Sequence, residues 1–409
     1  TYINWYFFLF MKNLNSELIS RIKEHGPITF KNYMDLCLYW PKGGFYTSDN
    51  VIINDDYYTS PMAHPVFGAL LSMYLESIWN SNIFQEKLNI LEIGAGNYQL
   101  ANDITNYSKN LSADYYQSLE YITIDLRKPE KNNNHNFSPI ISDTIPFDKF
   151  SGVIILNEVF DALPFHRVIN INNQIKEIYV DYKDENFFET YGSVSSDKIF
   201  EFLAEHNITL EQNQIFEISL QSAEYLKNIA SILDTGVVIN IDYGDTSENL
   251  LSKFKKGSLS CYYQHTMSQN PFLHPGKQDI TCHVNFSALI NEARKNNLET
   301  NNLISQREFL YERGFQNLFV KLRDLSLNQT EMNANRMGML NLVDPNSLGN
   351  FKTLILSKNI NLNNSDFKPQ QNDLMDKYPV PLLEDHHINL FGAKYPDQAQ
   401  NWNDLFKIN

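Results

Sequence analysis

Cysteine is scarce in this sequence: Cys37, Cys261 and Cys282 are the three in 409 residues, with no CxxC spacing. An odd, sparse set builds no disulfide framework and fits reduced thiols. That favours a cytoplasmic home and leaves the mitochondrial matrix open. The ten histidines show no HxxxH or HxH spacing. His386 and His387 are adjacent, and adjacent side chains diverge on a helix or strand, so no metal is expected. Basic runs are missing too. Lys plus Arg number 33 against 48 Asp plus Glu, a net charge of −15. Such a chain is poorly suited to nucleic acid or an anionic membrane. It suits a small cofactor or a basic protein substrate, although plain acidic enzymes share this balance. No segment reaches the roughly 20 apolar residues that span a bilayer. The apolar start TYINWYFFLF (1–10) has no basic n-region and no small-residue cleavage site, and no arginine precedes Arg21. It reads as neither signal peptide nor presequence, with Met11 as the natural start. There is no GxxxxGK[ST] phosphate loop and no internal repeat.

What is present is 43% hydrophobic and 13% aromatic, ample for one large domain with insertions or for two domains. Apolar spacing predicts two short helices within 14–39, around the break GPITF, the second ended by PKGG (41–44). SPMAHPVFGALLSMYLESIWN (60–80) reads as one helix with a broad buried face, started by Ser60-Pro61 and Pro65. Strands LNILEI (88–93), EYITID (120–125), GVIILN (152–157) and VVINID (237–242) follow, separated by turns, loops and helical stretches. That alternation predicts an α/β fold with a mostly parallel, Rossmann-like sheet. VININNQIKEIYVDY (168–182) reads as a hairpin and 196–232 as helices, both insertions. The expected division is an N-terminal helical segment (1–85), a core (86–360) with insertions near 168–232 and 265–345, and an Asn-rich, loop-like C-terminal extension (361–409).

Gly94 and Gly96 stand between a strand and a helix, where glycines permit a tight turn and close ligand approach. Alone, GxG is also an ordinary strand–helix turn. Asp125, ending the next strand, is placed to reach ribose hydroxyls. Asp143 lies in the loop after the apolar run SPIIS. A glycine loop, a ribose acid and a later loop acid suit an adenosine-containing cofactor. Glu92 would repel a pyrophosphate and attract a cation, which favours S-adenosylmethionine (SAM) over NAD. Its carboxylate has a second reading, orientation of the glycine loop. Asn157, Glu158 and Asp161 cluster where GVIILN ends, as a functional trio or as solvated loop carboxylates.

The sequence resembles the MidA family of SAM-dependent methyltransferases, related to the mitochondrial complex I assembly-factor arginine methyltransferase. The carrying stretches are GPITFKNYMDLCLYWPKGGFY (26–46), DYYTSPMAHPVFGALL (56–71), LEIGAGNYQL (91–100), NEVFDALPFH (157–166), VINIDYG (238–244), HPGKQDITCHVNFSALI (274–290) and SLGNFKTLIL (347–356). The resemblance implies a class I methyltransferase fold. It implies SAM contacts at Gly94, Ala95, Gly96 and Asp125, and a substrate-side role for the NEVFDALP loop, with Pro164 and His166 beside it. One departure stands out: Tyr98 occupies the place of the family's third glycine, where it would crowd the methionyl end of the cofactor or pack over it.

Methyl transfer from a sulfonium is mostly a matter of alignment. An arginine acceptor stays protonated in water, so carboxylates must hold it, and Glu158 and Asp161 can pair with a guanidinium. Tyr57, Tyr58 and His64 line the acceptor channel or simply pack the N-terminal helices. His283 reads as a structural histidine. Three functions stay open: methylation of a protein side chain, arginine favoured, on a respiratory or other subunit; O- or N-methylation of a small molecule; and a non-catalytic SAM-binding assembly factor.

Overall fold

A computed structural model describes residues 13–48, 59–81, 83–84, 87–129, 136–264, 266–362 and 377–394. They fall into two compact units, each gathered from three lengths of chain. One takes Thr1–Tyr57, Val159–Ile229 and Gly244–Glu292; the other takes Tyr58–Glu158, Ala230–Tyr243 and Ala293–Asn409.

The second unit is built on a seven-stranded sheet: β1 (Leu88–Ile93), β2 (Leu119–Asp125), β3 (Ser138–Ile141), β4 (Phe150–Asn157), β5 (Leu233–Asp242), β6 (Glu299–Ser305) and β7 (Lys352–Lys358). Their spatial order is β3-β2-β1-β4-β5-β7-β6. Pairings among β1 to β5 are parallel, and β7 runs antiparallel to both β5 and β6. The expected mostly parallel sheet is therefore present. Strands such as β4 run apolar without alternation because helices cover both faces of such a sheet; Val153, Ile154, Ile155 and Leu156 are all fully buried. Helix Val66–Asn80 adds Val66, Phe67, Leu70, Leu71 and Tyr74 to the same core.

The strand order fixes where a ligand can sit. From β1 the chain moves outward to β2 and β3, then returns to β4 on the other side of β1. The connections leave β1 and β4 in opposite directions, so a crevice opens outside their carboxyl ends. The glycine turn and the Asn157–Glu158 turn are the two rims of that crevice, with Ile93 paired to Leu156 just below.

The first unit is mainly antiparallel. The hairpin expected over 168–182 is present: strands His166–Ile171 and Gln174–Lys183 pair across Asn172 and Asn173, both at positive φ. Asparagine tolerates that left-handed conformation better than most residues. A second hairpin, through Asp184 and Glu185, adds strand Asn186–Gly192. Helices Leu14–His25 and Phe30–Tyr39 form on either side of GPITF as the spacing predicted, and Phe30, Tyr33, Met34 and Leu38 pack in a core with Phe165 and Ile280.

Two readings need correction. The 60–80 helix is two helices, Ser60–Ala63 and Val66–Asn80, because His64 is extended and Pro65 lacks the N–H to continue the ladder. The 196–232 stretch contains a strand, Ile215–Ile218, between helices Asp197–Glu205 and Leu220–Ile232; tertiary pairing with His166–Ile171 overrides the helical pattern. Within 361–409, the described residues 377–394 are largely irregular yet contribute buried Val380, Leu383 and Phe391. Residues 1–12, Tyr57 and Tyr58 lie outside the described residues.

Candidate active site

At the end of β1 the backbone turns through Gly94 (φ +72°) and Gly96 (φ +58°) into helix Gln99–Ser108. The amides of this turn are directed inward. Gly94 and Ala95 donate to the Ile124 carbonyl, Tyr98 donates to the Ala95 carbonyl, and Gly96 donates to Asp125 Oδ2 at 2.8 Å. A phosphate-binding nest needs such amides free, so the turn is poorly made for a pyrophosphate. Asp125 Oδ1 accepts from the Arg127 amide, so the carboxylate expected to reach a ribose also ties the two loops together. Burial raises its pKa, opposed by the Arg127 and Gly96 amides. Asp143 lies exposed in the loop after β3, where the neighbouring Ser142 amide donates to the Asp125 carbonyl.

Glu92 is buried, and its Oε2 accepts from the Tyr121 hydroxyl at 2.9 Å. Burial pushes its pKa up to about 8, the Tyr121 hydrogen bond pulls it down, and Asp125 and Asp103 push it further up. The carboxyl is thus largely neutral at pH 7, which qualifies the picture of a fixed negative charge beside the glycines. Tyr98, left-handed at φ +65°, starts the helix that follows. Its ring stacks on Phe137 with centroids 5.6 Å apart and planes 6° apart, and its hydroxyl donates to the Arg127 carbonyl. The ring is held by these contacts on the β2 side of the loop.

Across the crevice, Glu158 follows β4 at φ +55°, its amide donating to the Ile241 carbonyl. A left-handed glutamate is strained, so the surrounding contacts must hold it there. They are visible: Glu158 Oε1 accepts from Asn157 Nδ2 at 3.0 Å and from the Ser60 amide at 3.3 Å, the first amide of helix Ser60–Ala63. Ser60 is itself held, its hydroxyl donating to Gln306 Oε1 at 2.9 Å. Asn157 Oδ1 is buried without a hydrogen-bond donor.

The sequence profile of a family of S-adenosyl-L-methionine-dependent methyltransferases, Methyltransf_28, matches residues 70–304. The chain belongs to this family. Protein arginine methyltransferase NDUFAF7, mitochondrial, of Danio rerio is 24% identical, aligned over 83% of this chain and 85% of its own length. The human protein of that name is 23% identical, over 81% and 80%. A crystal structure from Burkholderia thailandensis bound to S-adenosyl-homocysteine superposes with a TM-score of 0.74 at 23% identity, covering 85% of this chain and 92% of that one. A native crystal structure of an uncharacterised protein from the same organism gives 0.75 at 24%, covering 87% and 94%. These likenesses show the fold, that of SAM-dependent methyltransferases.

The methyltransferase crevice fits its cofactor on two observations. A Cβ built on Gly96 would meet nothing within 4 Å, so space lies open beside the turn. Asn157 Oδ1 is an orphaned acceptor at the opposite rim. Gly94, Ala95, Gly96, Asp125 and Asn157 stand at the two rims of this crevice, with Glu92 two positions before the first glycine.

Other expected residues have different company. His64 is fully buried; its Nδ1 accepts from the Val66 amide and its Nε2 faces Asn335 Oδ1 at 3.1 Å. Burial lowers its pKa to about 3. Both ring nitrogens are engaged, so this histidine braces the break before Pro65. In the first unit, Asp161 is buried and its carbonyl accepts from the Cys282 amide. The Pro164 carbonyl faces the Ser219 hydroxyl at 3.4 Å. His166 Nδ1 meets buried Glu177 Oε1 at 2.7 Å. His283 is ringed by Phe254, and burial lowers its pKa to about 4.

The adjacent histidines do not diverge as expected. Ligand atoms of Asp103, His386 and His387 come within 4.8 Å of one another. Metal chemistry nevertheless fits poorly. His387 Nδ1 accepts from the Glu384 amide, and its Nε2 lies 3.0 Å from Gln99 Nε2 and 3.3 Å from Asp103 Oδ2. A metal-bound imidazole instead donates from its second nitrogen. Among the described residues, no helix is long and apolar enough to cross a membrane.

Sequence reasoning missed Tyr121, Ser60 and Gln306. Tyr121 meets Glu92 through the β1–β2 register, and Ser60 and Gln306 meet across 246 positions. Neither spacing leaves a mark in a single sequence.

Proposed function

We propose that this methyltransferase transfers the methyl group of SAM to an arginine side chain of a protein. The observation that carries this reading is Glu158, kept in a strained left-handed turn at the rim of the cofactor crevice with Oε1 anchored by Asn157 and the Ser60 amide. Backbone strain held in place by surrounding contacts is concentrated at active sites. A carboxylate fixed in this way can pair with a guanidinium, hold its plane and balance its charge. The names of the relatives, protein arginine methyltransferases, support the same acceptor.

SAM supplies an electrophilic methyl group on a sulfonium. The residues of the chain do the rest: the glycine turn and Asp125 hold the nucleoside end, Asn157 offers an acceptor, and Glu158 aligns the incoming nitrogen. Alignment is the main contribution a protein makes to an in-line displacement. A respiratory-complex subunit is the favoured substrate class, in keeping with the mitochondrial names of the relatives. The three cysteines are buried and form no disulfide, which supports a reducing compartment, cytoplasm or matrix.

Incubating the purified protein and a lysate with methyl-labelled SAM tests the reading. Label in protein bands, released as methylarginine on hydrolysis, is the expected result. Label only in small molecules, or none, overturns it.

A further inference from the structure

The two donors that hold Glu158 Oε1 differ in origin. Asn157 Nδ2, at 3.0 Å, belongs to the adjacent residue of the same turn; the Ser60 amide, at 3.3 Å, comes from 98 positions earlier. The first moves with the turn, so it cannot fix the carboxylate against the rest of the unit. The second can, provided Ser60 is itself fixed.

Ser60 is fully buried, and its hydroxyl donates to Gln306 Oε1 at 2.9 Å. Gln306 is fully buried as well, and the two ends of its side-chain amide are not interchangeable. Its Nε2 donates to the Leu342 carbonyl at 3.0 Å, which leaves the oxygen for Ser60. The backbone beneath this side chain is tied down too. The Gln306 amide donates to the Phe351 carbonyl at 2.7 Å, and Ser305 and Glu308 form a reciprocal capping box at the start of helix Gln306–Glu312. Helix Ser60–Ala63 is confined at its other end by close approach: a Cβ on Gly338 would lie 2.6 Å from the Ala63 carbonyl oxygen. Gly338 and Leu342 share helix Gln329–Val343, so one helix backs both ends of the short one.

We propose that Gln306 is a positioning residue for methyl transfer: acting through the Ser60 hydroxyl, it fixes the amide that holds Glu158 Oε1 and so sets the angle at which the carboxylate meets the acceptor. The inference rests on the reading that Glu158 aligns the acceptor nitrogen.

This series of bonds ends on Glu158 and not on the glycine turn, so its loss is read in turnover rather than in cofactor binding. Removing the Ser60 hydroxyl leaves Gln306 Oε1 buried without its donor, which favours a shift of the short helix. An in-line displacement is sensitive to such shifts: misplacement by about 1 Å costs about a hundredfold in rate.

Transfer of label from methyl-labelled SAM into lysate protein, measured with the full chain beside a calorimetric SAM titration and thermal melts, tests this. Ser60→Ala and Gln306→Met are each expected to lower the rate at saturating SAM by about tenfold or more, with SAM affinity within about threefold of wild type. In a Glu158→Ala background, where the Ser60 amide has lost its acceptor, either change is expected to alter the residual rate by less than about twofold. Where Glu158→Ala leaves no measurable rate, the split between rate and SAM affinity in the single variants decides. A wild-type rate in Ser60→Ala, losses that multiply with Glu158→Ala, or SAM affinity that falls in step with rate overturn the role of Gln306 and leave the acceptor reading intact. No label transfer by the wild type, or normal transfer by Glu158→Ala, overturns both. If Gln306→Met does not fold, Ser60→Ala, which removes a single hydroxyl, decides alone.

Discussion

Two buried polar clusters in the same unit use similar residues to different ends. At the crevice, Glu92, Asp125, Asn157 and Glu158 leave accounts open: a carboxyl raised toward neutrality, an orphaned Asn157 oxygen, a strained backbone and space beside Gly96. Behind helix Gln99–Ser108, the cluster of His64, Asn335, Gln99, Asp103 and His387 is closed. Asn335 Oδ1 meets His64 Nε2 and accepts from the Leu383 amide, its Nδ2 donates to the Glu331 carbonyl, and Gln99 Nε2 donates to Asp103 Oδ1. The closed cluster fastens residues 377–394, whose Ile388 amide also donates to the Met62 carbonyl. Buried polar groups normally find partners. The difference teaches that function is better sought where the partners are incomplete than where polar residues are most numerous.

The comparison breaks most easily at Glu158. Glu158→Gln is expected to cut turnover by about a hundredfold or more. SAM affinity should stay within about tenfold, since the lost charge acts on the acceptor. A methylation assay beside a SAM titration measures both, and normal turnover in the variant would remove the proposed role. Gly96→Val comes next. A branched side chain at φ +58° costs about 1–2 kcal/mol in the backbone and enters the open space beside the turn, so SAM affinity should fall by about tenfold or more, as calorimetry would report.

On the closed side, Asn335→Ala strips partners from His64 and the Leu383 amide. It should cost about 2–3 kcal/mol of stability, read as a shift in denaturant midpoint, with SAM affinity within a few-fold of wild type. A large affinity loss at unchanged stability would dissolve the distinction between the clusters.

Further effects follow from pH. The folded pKa of His64 lies near 3, below its unfolded value of 6.5, so the unfolded chain binds the extra proton. Stability contributed by the neutral ring is complete above about pH 6.5 and lost as pH falls toward 3. Glu92 behaves oppositely: its folded pKa lies above 4.5, so cofactor-free stability declines as pH rises from 4.5 toward 8. Glu92→Gln should flatten that upper slope in thermal melts and leave the acid limb unchanged. An acid limb that flattened as well would mean the two groups are coupled.

Much of the fold was legible because its signals are local. Unbroken apolar runs marked β1, β2, β4 and the end of β5, and paired asparagines marked the 171–174 turn. The glycines and Glu158 were found for a similar reason, since both stand at strand ends where an open α/β sheet places its chemistry. The strand at Ile215–Ile218 was hidden because its pairing partner lies about 50 residues earlier. The role of His64 was hidden because Asn335 lies 271 positions away.

The sequence by itself determined the order of strands and turns, the glycines that let the chain bend after β1, and the presence of carboxylates at two strand ends. Those depend on neighbours along the chain. Only the tertiary structure decided what surrounds the carboxylates: Glu92 is buried against the Tyr121 hydroxyl, and Glu158 is anchored by Asn157 and the Ser60 amide. Charge state and orientation depend on desolvation and on groups brought from distant strands and helices, and those exist only once the chain has folded.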